Sequence, residues 1–270
     1  MTFEIYLCVA ILIYFGALVS VYLLQRKLMY YPDPVYVSPV AARASEELKE
    51  LKVRTEDGLD LKAWYAPATS KPFTIIFFHG NGDRLRSVAT IANPYIDAGY
   101  GFLLAEYRGY SGMPGSPTES GLYTDARSYV KALIASGIKE TNLILFGASL
   151  GTGVATQMAS EFHIGGLILL APYLSITKIA QIYFPIFPVA LLVKDRFEND
   201  QKLPRIIVPL LIANGGKDMV IASSQGRRLF ALANEPKEFH FIAEGGHDDL
   251  FEHGFAEISL IWLQQLAVKQ

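Results

Sequence analysis

The stretch Asn142-Leu143-Ile144-Leu145-Phe146-Gly147-Ala148-Ser149-Leu150-Gly151-Thr152 decides how this chain is read. Its continuous apolar run predicts a strand over 143–146 that is buried on both faces. The run leads directly into Gly-x-Ser-x-Gly, and residues 152–162 have the length and pattern of a helix. In that setting the glycines relieve crowding at a sharp turn, and the Ser149 hydroxyl projects from the edge of a sheet. The five-residue pattern alone is weakly specific in a chain with 22 glycines, so its surroundings have to carry it. An idle serine in a glycine-rich turn is the bland alternative.

Similar apolar runs lie at 74–78, 101–106, 167–170, 209–213 and 238–242, separated by helical stretches at 121–136, 223–233 and 255–268. Ahead of them, Leu51, Val53 and Thr55 alternate with polar residues, and Leu59, Leu61 and Ala63 repeat the pattern after Asp57-Gly58, which reads as a hairpin. Strand–helix alternation after an opening hairpin predicts an α/β fold with a mixed, mostly parallel central sheet flanked by helices.

A serine nucleophile needs a base and an acid that orients the base, following it in the order Ser, Asp, His. The run 209–213 ends in Asn214-Gly215-Gly216-Lys217-Asp218, and the run 238–242 ends in Glu244-Gly245-Gly246-His247. Both side chains therefore leave the carboxyl ends of strands, as Ser149 does. His163, His240 and His253 lie before or inside elements or at a helix start, and read as surface or packing histidines. Asp195, Asp200, Asp248 and Asp249 compete as the acid, but only Asp218 follows a buried-looking strand at the right place. The oxyanion needs amide donors. One is the Leu150 N–H, and the second is expected from Asn81 in His79-Gly80-Asn81-Gly82, the loop after the run 74–78. His79 reads as a structural hydrogen-bonding residue of that loop.

The ordered set HGNG, GASLG, GGKD and GGH resembles the α/β-hydrolase superfamily. Tyr107-Arg108-Gly109-Tyr110-Ser111-Gly112, continuing through Gly115-Ser116-Pro117-Thr118-Glu119 to Asp125-Ala126, is similar to one branch of it. That branch contains small serine hydrolases with a lone N-terminal membrane span, and Arg26 to Pro34 is similar to its segment joining anchor and sheet. The resemblance implies Ser149 as nucleophile, Asp218 as acid and His247 as base. It further implies hydrolysis of carboxylic esters or thioesters, often on lipid-like acyl groups, with no metal or organic cofactor. Tyr-Ser-Gly stands where Tyr-Gly is frequent, away from the chemistry. A serine peptidase acting on short substrates, and a membrane-tethered binding module with a disused site, are the alternative readings.

Composition narrows the partners. The 270 residues carry 24 Lys+Arg against 26 Asp+Glu, a net charge of −2, which speaks against nucleic acid. Cys8 is the only cysteine, so no intramolecular disulfide and no multi-thiolate zinc site forms. The mean hydropathy of +0.26 is high for a soluble protein, and the beginning of the chain accounts for it. Between Ile5 and Leu24 no side chain carries a charge. At about 1.5 Å per residue this run spans about 30 Å, the thickness of a bilayer's hydrocarbon core. A buried core helix and a cleaved signal peptide are the competing readings. Arg26 and Lys27 follow the run, while only Glu4 and the amino terminus precede it, which puts the catalytic domain in the cytoplasm by the positive-inside tendency.

The expected organisation is a transmembrane anchor over 5–25, a linker over 26–50 that includes a short polar helix at 41–50, and an α/β-hydrolase domain over 51–270. The stretch 172–203, long for a simple crossover and rich in apolar and aromatic residues, is where a lid over an acyl pocket belongs. The bland alternative there is a helix pair that shields the sheet. The expected partners are a small acyl ester or thioester and the lipid bilayer; no protein partner is legible.

Overall fold

The computed structural model describes residues 2–268, so the expected domain end at Gln270 lies outside the described residues. The chain opens with α1 (Thr2–Met29), a single helix whose large apolar side chains face outward. Its most apolar window has no residue buried inside the protein, so a helix of the globular core is excluded. The helix runs past the expected boundary at 25 and stops ahead of Tyr31-Pro32, because proline disfavours helical backbone in the residue before it.

The expected short helix at 41–50 does not form. The segment makes isolated turns, with Ala42 N–H donating to Ser38 and Ala44 N–H to Pro39. Arg43 sits in the left-handed region at φ 54°, which ends any helical run. Lys49 and Glu50 are then captured by sheet pairing with Tyr65 and Trp64. The domain's first strand therefore begins at Lys49, two residues earlier than expected.

From there β1 (Lys49–Arg54) and β2 (Asp60–Ala66) form the expected hairpin around Asp57-Gly58, with Leu51 opposite Ala63 and Val53 opposite Leu61. Next come β3 (Thr74–Phe78), α2 (Leu85–Val88), α3 (Asn93–Asp97), β4 (Gly101–Ala105) and α4 (Glu119–Ala135). They are followed by β5 (Leu143–Ala148), α5 (Leu150–Glu161) and β6 (Gly166–Leu170). The stretch 172–203, expected to form a lid, holds α6 (Ile176–Tyr183), α7 (Val189–Leu192) and α8 (Asn199–Lys202). The chain closes with β7 (Leu210–Gly215), α9 (Ser223–Leu232), β8 (Lys237–Ile242) and α10 (Phe255–Val268).

The eight strands form one sheet in the order β1-β2-β4-β3-β5-β6-β7-β8. Both pairings of β2 are antiparallel, and every pairing from β4 to β8 is parallel. Every residue of β3, β4 and β6 is buried, because alternate side chains enter separate cores on the two faces. Ile76, Phe78 and Leu103 pack with Leu122 of α4 and Val154 of α5, whereas Ile75, Phe77 and Phe102 pack with Tyr95 of α3 and Leu263 of α10. Each such side chain contributes about 1.5–3 kcal/mol by leaving water.

Two ionic clusters, one around the buried Arg108–Asp125 pair and one nearer the surface, tie loops to this frame. The Arg108 guanidinium donates to Asp125 and to Asp57 at 2.7 Å each, binding the loop after β4 to α4 and to the opening hairpin. Asp33 of the linker accepts from Arg84 and Arg86. In the region expected to form a lid, α6 buries none of its residues fully; Ile176 and Ile179 lean on the core, and the end of the helix at Ile182 and Tyr183 is exposed.

Candidate active site

At the end of β5 the chain turns so sharply that Ser149 adopts φ 48° and ψ −116°, a conformation that costs a non-glycine residue of order 1–3 kcal/mol. The neighbouring glycines make it possible. A Cβ on Gly147 would lie 2.4 Å from the Gly151 carbonyl oxygen, and one on Gly151 would lie 2.0 Å from the Phe78 carbonyl oxygen. The Ser149 N–H donates to the Leu170 carbonyl at 2.9 Å, pinning the turn to β6. α5 begins immediately, and the first N–H groups of a helix have no partner within it.

Asp218 and His247 arrive on the loops after β7 and β8, and the parallel order brings both to Ser149. His247 Nε2 lies 2.9 Å from Ser149 Oγ, and His247 Nδ1 lies 2.7 Å from Asp218 Oδ2. The other Asp218 oxygen accepts the Val220 and Ile221 N–H groups at 2.8 and 2.7 Å. The carboxylate is thus completely buried and held from both sides. Burial opposes charge on His247, but the hydrogen bond and charge of Asp218, with help from Asp248 and Asp83, hold its pKa above the ordinary histidine value.

The loop after β3 lies against this turn, with a Cβ on Gly80 only 3.3 Å from Ser149 Cβ. His79 is fully buried, and both its ring nitrogens face acceptors, the Gly80 carbonyl at 2.8 Å and Glu106 Oε1 at 2.7 Å. Two acceptors call for two N–H donors, which is the imidazolium form. Burial resists that form, and the Glu106 charge and hydrogen bond outweigh it, so the His79 pKa is raised. The consequence reaches Asn81. In a planar trans peptide the C=O and N–H point oppositely, so tying the Gly80 carbonyl to His79 aims the Asn81 N–H the other way. Among the described residues that N–H has no acceptor within the chain. The Asn81 side chain is occupied separately: its oxygen accepts from Tyr31 N–H and Tyr110 Oη, and its amide donates to the Met29 carbonyl.

Beside Ser149 and His247 lies a cavity of about 120 Å³, whose lining includes the apolar Phe77, Leu250 and Phe251 and the acids Asp83 and Asp248. Apart from Asp248, which lines this cavity, the competing acids and histidines are engaged or placed elsewhere. Asp195 pairs with Arg26, Asp200 with Lys178, and Asp249 accepts the Gly246 N–H. His163 lines a separate cavity with Thr141 and Pro209, at the opposite edge of the strands. His253 lies 3.7 Å from Asp249, and His240 lies 3.6 Å from Glu238.

Glu106 and Asp83 escaped the sequence reading. Glu106 is a carboxylate closing an otherwise apolar run, which is a signal in itself. Asp83 accepts the Gly80 N–H at 3.2 Å and is visible only as a further acid in the loop.

The sequence model of a family described as serine aminopeptidase, S33, matches residues 70–199. The uncharacterized protein Rv2307c of Mycobacterium tuberculosis is 32% identical over 238 residues, covering 87% of this chain and 84% of that protein. Human alpha/beta hydrolase domain-containing protein 17B is 29% identical over 220 residues, covering 79% and 74%. Among solved structures, the Pyrococcus furiosus esterase Pf2001 superimposes with a TM-score of 0.72 at 19% identity, over 88% of this chain and 98% of the esterase. At that identity the likeness shows a shared fold.

Proposed function

The chain belongs to the α/β-hydrolase superfamily and is a hydrolase, and from that premise we propose that it is a membrane-anchored serine hydrolase. Its substrates are carboxylic esters or thioesters of lipid-like acyl groups, and α1 is the anchor. The observation that supports this reading is the unbroken hydrogen-bonded series from Ser149 Oγ through the His247 ring to Asp218.

His247 Nε2 takes the hydroxyl proton as Ser149 Oγ bonds to the acyl carbon, and the carbonyl electron pair moves onto its oxygen. The Leu150 and Asn81 N–H groups donate to that oxyanion, which removal of a single donor in such sites weakens by about 3–4 kcal/mol. Asp218 steadies the imidazolium. As the tetrahedral species collapses, His247 returns the proton to the departing alcohol or thiol, and the acyl group stays on Ser149. Water, deprotonated by His247, then releases the acid. Strain at Ser149 keeps the hydroxyl clear of its own helix throughout.

A second reading has one observation in its favour. Asp83 and Asp248 line the cavity at Ser149, where a carboxylate suits the free α-amine of a peptide, and the matching family is described as an aminopeptidase. A panel of esters, thioesters and aminoacyl amides of graded acyl length separates the two. Turnover rising with acyl length on esters or thioesters supports the first; turnover confined to amides with a free amine overturns it. Failure of a fluorophosphonate probe to label Ser149 overturns both.

A further inference from the structure

Between Lys178 and Lys194 the lid region carries no charged side chain. Most of that stretch is exposed, with Ile182 64%, Ile186 72% and Leu191 82% accessible to solvent. So apolar a surface on a short excursion demands an explanation, and its contacts with α1 supply one.

The excursion lies along α1 in register with depth. At its base, Arg26 pairs with Asp195, and Gln25 joins the Leu192 carbonyl and the Lys194 N–H. One turn further along, the Lys194 ammonium sits 4.0 Å from the centre of the Tyr22 ring. At its tip, Tyr14 Oη donates to the Ile186 carbonyl at 3.0 Å and the Tyr14 ring stacks on Phe187. Tyr14 lies about 18 Å along the helix from Arg26, at about 1.5 Å per residue. If Arg26 and Lys27 stand at the headgroups, Tyr14 is near the middle of a hydrocarbon core about 30 Å thick. Whatever is bonded to Tyr14 is there with it.

We propose that the segment 179–193 is seated in the hydrocarbon of one leaflet beside α1, making the lid a second membrane-embedded element. This rests on the reading of α1 as an anchor. The charges agree with the placement, since Lys178 precedes the segment, Lys194, Asp195 and Arg196 follow it, and Asp195 is paired with Arg26 where the span ends. An apolar groove of about 270 Å³ remains between the two elements, lined by Val21 and Leu28 of α1 and by Ile179, Phe184 and Phe187. Tyr183 links the lid to the loop of Asp218 through the Val220 carbonyl. Exposed Met219, next to Asp218 on that loop, adds to the apolar surface there. The leaflet itself, rather than a second copy or a protein partner, is the occupant that contact with the middle of α1 requires.

Depth-dependent quenching tests this in the full chain. In a Cys8→Ser background, single cysteines at Ile186→Cys, Leu191→Cys, Val19→Cys and Ile207→Cys are labelled with an environment-sensitive fluorophore. The variants are reconstituted in phosphatidylcholine–phosphatidylglycerol vesicles containing lipids with nitroxide on the acyl chain. Val19 reports α1, and Ile207, exposed just ahead of β7, reports the aqueous side. Strong quenching at Val19 together with Ile186 or Leu191, and none at Ile207, is the expected result. Quenching at Val19 with none at Ile186 or Leu191 overturns the proposal while leaving the anchor standing, including when a blue-shifted emission shows that protein covers the lid. Absence of quenching at Val19 overturns the anchor and the proposal with it.

Discussion

Arg26 grips Asp195 with two hydrogen bonds, Nε to Oδ2 at 2.7 Å and Nη2 to Oδ1 at 3.0 Å, across 169 residues of sequence. The carboxylate also accepts the Glu119 N–H at 3.1 Å. One buried acid therefore joins the end of α1, the foot of the lid and the start of α4. Asp195→Asn is expected to cost about 1–2 kcal/mol, since Arg26 is half-exposed and regains water while Asp195 is buried. Turnover on a short soluble ester should stay near the starting value. A loss of turnover as large as that from an Asp218 variant would place Asp195 in the chemistry.

Ser149→Ala removes the proposed nucleophile and leaves the proposed oxyanion donors. Ester turnover is expected to fall by several orders of magnitude, to the residual level that binding and the oxyanion site supply. The thermal transition should be preserved. Unchanged hydrolysis in this variant would refute the mechanism.

Asp218→Asn is expected to lower turnover about ten-thousand-fold by favouring the wrong His247 tautomer. The pH profile carries a second signature. As the proposed base, His247 acts only when neutral, and its pKa is raised chiefly by Asp218 against the opposing effect of burial. The acid limb of kcat/KM in the native protein should therefore lie above the ordinary histidine value of about 6.5. Removing the carboxylate charge should move that limb to lower pH. An identical limb in both proteins would separate Asp218 from the base.

Glu106→Gln tests the imidazolium beneath the loop proposed to supply the Asn81 oxyanion donor. Breaking one half of a buried charged pair costs about 3 kcal/mol or more. Because the folded pKa of His79 is raised, its stabilising contribution is complete below the unfolded value of about 6.5 and is lost as pH rises through the folded value. Melting temperatures measured from pH 6 to pH 9 should fall less steeply in the variant than in the native protein. Release of the Gly80–Asn81 peptide should also lower kcat with little change in KM. Parallel melting curves and unchanged kcat would leave Glu106 without a positioning role.

Gly151→Ala places a methyl group 2.0 Å from a backbone oxygen that cannot move without disturbing β3. Overpacking of this kind costs about 1–3 kcal/mol or more, and here it acts on the turn that carries Ser149. Probe labelling is expected to be lost together with stability. A fully labelled, equally stable variant would show that the turn is looser than its geometry.

Period and order along the chain were enough for the sheet, its flanking helices and the three residues at its carboxyl edge. Fully apolar runs mark strands covered on both sides, and side chains three to five residues past such runs emerge at one edge whatever loops intervene. That is why Ser149, Asp218 and His247 were legible without coordinates and why the structure brings them within hydrogen-bonding distance. The segment 41–50 misled because its composition allows a helix, while pairing of Lys49 and Glu50 with β2 and the left-handed turn at Arg43 decide otherwise. Only the tertiary structure could join Glu106 to His79, Asn81 to Met29, or Arg26 to Asp195. Such partners are chosen by proximity after the sheet has closed, and nothing in the local pattern of a lone acid or amide records which distant group will neutralise or hold it.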